Sequence, residues 1–240
     1  IECAEKPELA SAENLAFRAA DLFLTQAGVA DGVHISLEKR IPVAAGLGGG
    51  SSDAGAVLRG LNQLFSDPLN MQDLRELSAA LGSDVPFFVT GGTAIASGRG
   101  EKIQIIPSTF NWSVLLINPG FGVSTARVYA QHKLPLTSKK PIHNILPALS
   151  SGFRSGDGLP AVIQNDLQVT VLKLYPEIGN ILNWLESHDA DVARVSGSGG
   201  TVFALFSDSE KAKATALQAE QVFSWTCLTC MTSESPVFED

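Results

Sequence analysis

At 240 residues and a formal net charge of −8, the chain has room for one large domain or two small ones. Hydrophobic residues at 45% and charged residues at 18% exclude a disordered chain, and this length completes a core without disulfides or metal staples. The acidic balance argues against duplex DNA, long RNA or an anionic membrane as main partner, since each demands a basic face; a small anion held by backbone N–H groups stays open.

No apolar run reaches the ~20 residues that span a bilayer, and no charged-then-apolar leader is visible. Cys3, Cys227 and Cys230 form an odd set in a low-cysteine chain, which points to a reducing compartment. Cys227-x-x-Cys230 has no second Cys/His pair nearby and reads as strand rather than as a metal or redox site. The chain begins at Ile1 rather than Met, and its first residues read as the tail of a strand, so a fragment is expected.

In chain order, Leu15, Ala19, Leu22 and Phe23 recur at helical spacing over 14–27, and Gly28 stops the helix. Residues 33–38 alternate apolar and polar, a half-buried strand with His34 on its wet face. A loop over 42–50 precedes a helix striped by Ala54, Val57, Leu58, Leu61 and Leu64, capped by Ser51 or Ser52. Asn70 and Asp73 open a helix ending near Gly82. Short strands at 94–97 and 103–106 flank Gly98-Arg99-Gly100, and an apolar strand runs over 112–118. A helix at 124–132 is followed by a polar loop at 133–158, then helices at 161–174 and 176–188. Strands at 192–195 and 201–206 surround Ser196-Gly197-Ser198-Gly199-Gly200. Ser207 and Glu210 suggest a capping box for the last helix, and a strand near 225–229 ends the pattern. Helices and strands without a regular βαβ beat indicate an α+β fold, and the best cut falls at 107–111, giving domains 1–108 and 109–240.

Three segments could carry chemistry. Pro42-Val43-Ala44-Ala45-Gly46-Leu47-Gly48-Gly49-Gly50-Ser51-Ser52-Asp53 lies between a strand and a helix. Glycines admit close backbone approach and left-handed φ, and consecutive N–H groups before a helix form a concavity for anions. The physics points to phosphate, although no Lys-Ser/Thr follows as in a P-loop; a Gly-rich turn that packs a helix on a sheet is the structural alternative. Asp84, in Leu81-Gly82-Ser83-Asp84-Val85-Pro86-Phe87-Phe88, is one acid in an apolar stretch and reads either as a helix cap or as a functional carboxylate. Ser196–Thr201 is a second glycine loop, a pattern that hairpin turns share. No metal-ligand set is legible.

Together, and in this order, the three segments resemble the signature motifs of the GHMP small-molecule kinases. Gly98-Arg99-Gly100-Glu101, Asn165-Asp166-Leu167 and Tyr175-Pro176-Glu177 bring the resemblance closest to the branch that acts on a cytidine diphosphate-linked methylerythritol in the non-mevalonate route to isoprenoids. The resemblance implies a two-domain α+β fold, with an S5-domain-2-like N-terminal half and a ferredoxin-like C-terminal half. It implies ATP and Mg²⁺, with the phosphates wrapped by Pro42, Val43, Ala44, Ala45, Gly46, Leu47, Gly48, Gly49, Gly50, Ser51 and Ser52. Lys39 matches a nucleotide contact, Asp84 the catalytic acid and Thr125 a substrate contact; a strand-end Lys and a helix cap are the bland alternatives for Lys39 and Thr125. Ser196–Thr201 would support the phosphate loop.

In that family a segment of roughly 55–60 residues precedes the equivalent of Ile1. It carries a Lys and an Asn on the first strand and a Tyr-His pair for cytosine, none of them present here, so slow turnover or none is expected of this chain. The resemblance is compatible with a homodimer and with bacterial cytosol or plastid stroma. Another GHMP kinase, of homoserine or mevalonate type, and a non-catalytic nucleotide-binding protein are the competing readings.

Overall fold

The computed structural model describes residues 1–106, 112–132 and 163–232. They form two compact units: one holds 1–41 and 48–106, the other 42–47, 112–132 and 163–232. The glycine-rich loop therefore divides, its first half belonging to the second unit, with the chain returning to the first unit at Gly48.

In the first unit, α1 (Leu15–Ala27) starts at Asn14, whose side chain accepts from Ala16 N, and stops at Gly28 in the left-handed region. Next come α2 (Gly49–Leu64), α3 (Met71–Leu81) and the short α4 (Val85–Thr90). Asn70 and Asp73 form a reciprocal capping box on α3. An antiparallel hairpin of β1 (Thr93–Ser97) and β2 (Lys102–Ile106) follows. The helical stripes converge: Ala19, Phe23, Ala54, Leu58, Leu74, Val85 and Val89 pack as one cluster. Phe23, Leu58 and Val85 are fully buried, each contributing roughly 1.5–3 kcal/mol of transfer free energy.

The second unit is a four-stranded antiparallel sheet in the order β4-β5-β3-β6, built from β3 (Ser113–Asn118), β4 (Val192–Val195), β5 (Val202–Phe206) and β6 (Trp225–Cys230). Between β3 and β4 lie α5 (Thr125–Gln131), α6 (Gln168–Leu174) and α7 (Glu177–Ser187); α8 (Ser209–Val222) joins β5 to β6. This order is the split βαβ arrangement of ferredoxin-like folds. Leu115 and Ile117 of β3, Ala204 and Phe206 of β5, and Ile178, Ile181 and Leu185 of α7 share one core. Ala212, Ala216 and Ala219 are buried in the same core, and small side chains there let α8 lie close to the sheet.

Several expectations need correction. Residues 33–38 do not form a ladder: only Ser36 bridges, to Glu2, with Glu2 N donating to Ile35 O and Leu37 N to Glu2 O. Alternation makes a strand only where a neighbour supplies the pairing. His34 is exposed as expected, with Nε2 3.2 Å from Glu2 Oε1. The last helix is capped by Asp208, whose carboxylate accepts from Glu210 N and Lys211 N, while Ser207 donates to Asp191. α6 begins at Gln168 rather than 161, because Asn165 turns the chain just before it. The 133–158 loop lies outside the described residues. No helix among the described residues is long and apolar enough to cross a membrane.

Candidate functional site

The first unit brings the start of α2 and Asp84 onto neighbouring helices. Gly48, with φ 65°, is the N-cap of α2 and offers no side-chain cap, so neither Ser51 nor Ser52 caps the helix as expected. The helix begins at Gly49 because left-handed Gly48 turns the chain into it. Its leading N–H groups have no intrahelical acceptor, and its dipole end is positive: the combination that holds a phosphate. Ser52 Oγ donates back to Gly49 O at 2.8 Å, and Ser51 sits beside it in the first turn, half-buried.

Below this turn, Lys39 Nζ lies 2.6 Å from Asp53 Oδ2, and the Lys39 side chain is only 6% exposed. Phe88 of α4 fills the space where glycines omit side chains. A methyl on Gly48 would meet the Phe88 ring at 2.6 Å, and one on Gly55 would meet Phe88 Cβ at 2.8 Å. α2 and α4 therefore approach almost backbone to backbone.

Asp84 stands at the N-cap position of α4 but makes no capping hydrogen bond. Its own φ and ψ of −91° and −17° are already helical, whereas a capping side chain needs an extended backbone to reach the N2 or N3 amide. This settles the sequence ambiguity against the cap. Asp84 is also exposed, although Val85, Pro86 and Val89 around it are buried. The turn at 98–101 abuts it: a methyl on Gly100 would lie 3.2 Å from Ser83 O and 3.7 Å from Asp84 Oδ1. Glu101 closes that turn. Its carboxylate accepts from its own backbone N–H and from that of Arg99, the latter at 2.7 Å, which holds it below the usual carboxylate range.

The second unit fixes the other half of the loop. Thr201 N donates to Ala45 O at 3.0 Å, Val123 N to Ala44 O at 3.3 Å and Ser196 Oγ to Gly46 O at 2.8 Å. Gly46 and Gly199 interlock, since a methyl on Gly199 would fall 2.2 Å from Gly46 Cα. Asn165 ties the 196–201 loop down, donating to Val195 O and Gly197 O while accepting from Leu167 N. Buried Asn118 donates to Thr201 Oγ1 at 2.9 Å. Ser124, not Thr125, caps α5, accepting from Arg127 N. Thr125 is exposed in the first turn, its hydroxyl 2.9 Å from Ser198 Oγ. Phe121 stacks on Tyr175 at 6.0 Å between centroids, and Arg127 lies 5.7 Å from the same ring, which anchors the approach to α5.

Of the expected residues, Lys39, Gly48–Ser52 and Asp84 thus belong to one unit, and Pro42–Leu47, Thr125 and Ser196–Thr201 to the other. Val43 is 49% exposed and Ala45 buried, so the loop carries side chains on both of its faces. Asp53, Phe88 and Asn165 were missed as working parts. Asn165 had a signal, since Asn before a helix often turns the chain, but Phe88 had none beyond being apolar.

A family model described as the GHMP kinases N terminal domain matches residues 14–92, and one for the GHMP kinases C terminal matches 148–224. A protein of Bacillus cereus (strain B4264) called 4-diphosphocytidyl-2-C-methyl-D-erythritol kinase is 45% identical over 192 residues, 80% of this chain and 66% of the relative. One of the same name from Pelotomaculum thermopropionicum is 43% identical over 206 residues, covering 85% of this chain and 71% of the relative. The chain thus spans 66% of the length of the Bacillus cereus relative. A crystal structure of 4-(cytidine 5'-diphospho)-2C-methyl-D-erythritol kinase superposes with TM-score 0.78 at 34% identity, over 92% of this chain and 78% of that one. A homoserine kinase from Cytophaga hutchinsonii reaches TM-score 0.75 at 17% identity over 93% and 77%, which speaks to the fold alone. By these motifs, this sheet order and these relatives, the chain belongs to the GHMP kinases, in the branch of the 4-diphosphocytidyl-2-C-methyl-D-erythritol kinases.

Proposed function

We propose that this protein transfers the γ-phosphoryl group of ATP to the 2-hydroxyl of 4-diphosphocytidyl-2-C-methyl-D-erythritol, a step in a non-mevalonate synthesis of isoprenoid precursors. The observation that carries the reading is the 43% to 45% identity to relatives of that name. The homoserine and mevalonate kinases at 17% and 18% identity support the shared fold and no more.

The residues take these parts. The N–H groups of Gly48–Ser52 and the dipole of α2 hold phosphate oxygens; Pro42–Leu47 continue the same loop. Asp84, free of any capping bond, accepts the proton of the substrate hydroxyl. The hydroxyl oxygen then forms its bond to the γ-phosphorus as the bond to the bridging β-oxygen breaks, and ADP leaves with that electron pair. Thr125 offers its hydroxyl to the substrate. Among the described residues no cluster of three acidic, His or Cys side chains could cage a metal. Mg²⁺ fits nonetheless, since it usually keeps its waters and rides on substrate phosphates with one or two protein oxygens. The Ser51 hydroxyl, half-buried in the first turn of α2, would be an oxygen ligand of that kind, and the ion would neutralise charge on the transferring group.

Asp84→Asn tests the assignment. Phosphoryl transfer, followed by coupled ADP release, should fall by about 10²–10⁴-fold, the usual worth of a general base. ATP affinity by calorimetry should stay within a few-fold. A near-normal rate would remove Asp84 from the reaction.

A further inference from the structure

We infer that Lys39 serves the nucleotide through Asp53, by cancelling its charge beneath the phosphate-holding turn, rather than by touching the phosphates. The inference rests on the kinase reading above and deepens it.

Three observations carry it. Lys39 Nζ and Asp53 Oδ2 are 2.6 Å apart, a tight charge-assisted hydrogen bond. The Lys39 side chain is 6% exposed and that of Asp53 20%, so the ammonium presents little surface to a ligand in solution. And the ammonium sits directly under the first residue of α2: a methyl on Gly49 would meet Lys39 Nζ at 3.0 Å and Ile41 Cγ2 at 3.0 Å. Glycine at 49 is what leaves room for the pair.

The placement poses an electrostatic problem that the pair solves. A cation at a helix N-terminus opposes the dipole, and a carboxylate near a triphosphate repels it. Each is tolerable only because the other is present. Unpaired, Asp53 would set a negative charge under a turn whose use is to bind an anion. Paired, the two leave the amide groups and the dipole as the net attraction, and they pin the first turn of α2 to the segment before the loop. Asp53 is thus a positioning residue, and so is Lys39.

The signs of the single substitutions differ, which separates this role from direct contact and from plain scaffolding. In the intact chain, titrated calorimetrically with ATP and Mg²⁺, Lys39→Met should weaken binding by about tenfold or more, because Asp53 is left uncompensated. Asp53→Asn should tighten binding by about threefold, since Lys39 then stands unopposed. The double variant Lys39→Met/Asp53→Asn should return to within about threefold of wild type, a recovery far beyond additivity. If Lys39 touches the phosphates, the double variant stays as weak as Lys39→Met, and the inference falls while the kinase reading stands. If both single variants weaken binding alike, the pair is scaffolding only, and the inference falls again. A wild-type chain that binds no ATP at all overturns the kinase reading and this inference with it.

Discussion

Replacing Gly199 by alanine sets a methyl 2.2 Å from Gly46 Cα, 2.3 Å from Gly46 N and 2.5 Å from Ala45 C. All three are main-chain atoms, so no side chain can swing aside. Carbon atoms in ordinary contact stand ~3.5–4.0 Å apart, so the two segments must separate by about 1 Å or more. That movement strains the bonds joining them, Thr201 N to Ala45 O and Ser196 Oγ to Gly46 O. Overpacking of this kind costs about 1–3 kcal/mol and each of the two lost hydrogen bonds about 0.5–1.5, so a loss of roughly 2–6 kcal/mol is expected. For a chain of this length the midpoint should drop by about 4–24 °C. The control is Gly179→Ala in α7, where the nearest atom is Leu172 Cδ2 at 4.0 Å and the φ is not left-handed. Removing a helical glycine there should stabilise the protein by about 0.5–1 kcal/mol. Thermal and urea denaturation of both variants, with ATP titration beside them, makes the comparison. A Gly199→Ala midpoint within about 2 °C of wild type, with unchanged ATP affinity, would refute the interlocked-loop argument.

Two further expectations follow from the same geometry. Asn165→Ala removes both donors to Val195 O and Gly197 O, and should cost about 1–3 kcal/mol and loosen the 196–200 amides in hydrogen exchange. Asn165→Asp should be worse, because it faces two carbonyl oxygens with a carboxylate; an Asn165→Ala variant as stable as wild type would show that the donors are unimportant. The Glu101 carboxylate is held below its usual range by its own N–H and that of Arg99, so the stability of this turn is present above the unfolded carboxylate value and is lost as pH falls through the folded one. Protection of the Arg99 amide, taken relative to its intrinsic exchange rate at each pH, should fall on acidification in wild type and be already low at neutral pH in Glu101→Gln; a pH-independent difference would contradict the assignment.

The helices of this protein were legible because each carries its own instructions. The α3 capping box at Asn70 and Asp73, the Gly28 stop and the apolar spacings are local, and local signals survive whatever the tertiary setting. The glycine loop and its likeness to a kinase family were legible for the same reason, since a run such as Gly46–Ser52 is rarely needed by a turn alone. Residues 33–38 show the opposite case: alternation states which face would be buried and is silent on whether a partner strand exists.

Asp84 was found by sequence, but its freedom from capping depends on the helical backbone angles at that residue, which composition does not encode. The fit of Phe88 against Gly48 and Gly55, the interlock of Gly46 with Gly199 and the Lys39–Asp53 pair join positions far apart along the chain. Such contacts are set by how helices and loops pack, because an omitted Cβ is informative only once the atom that takes its place is known.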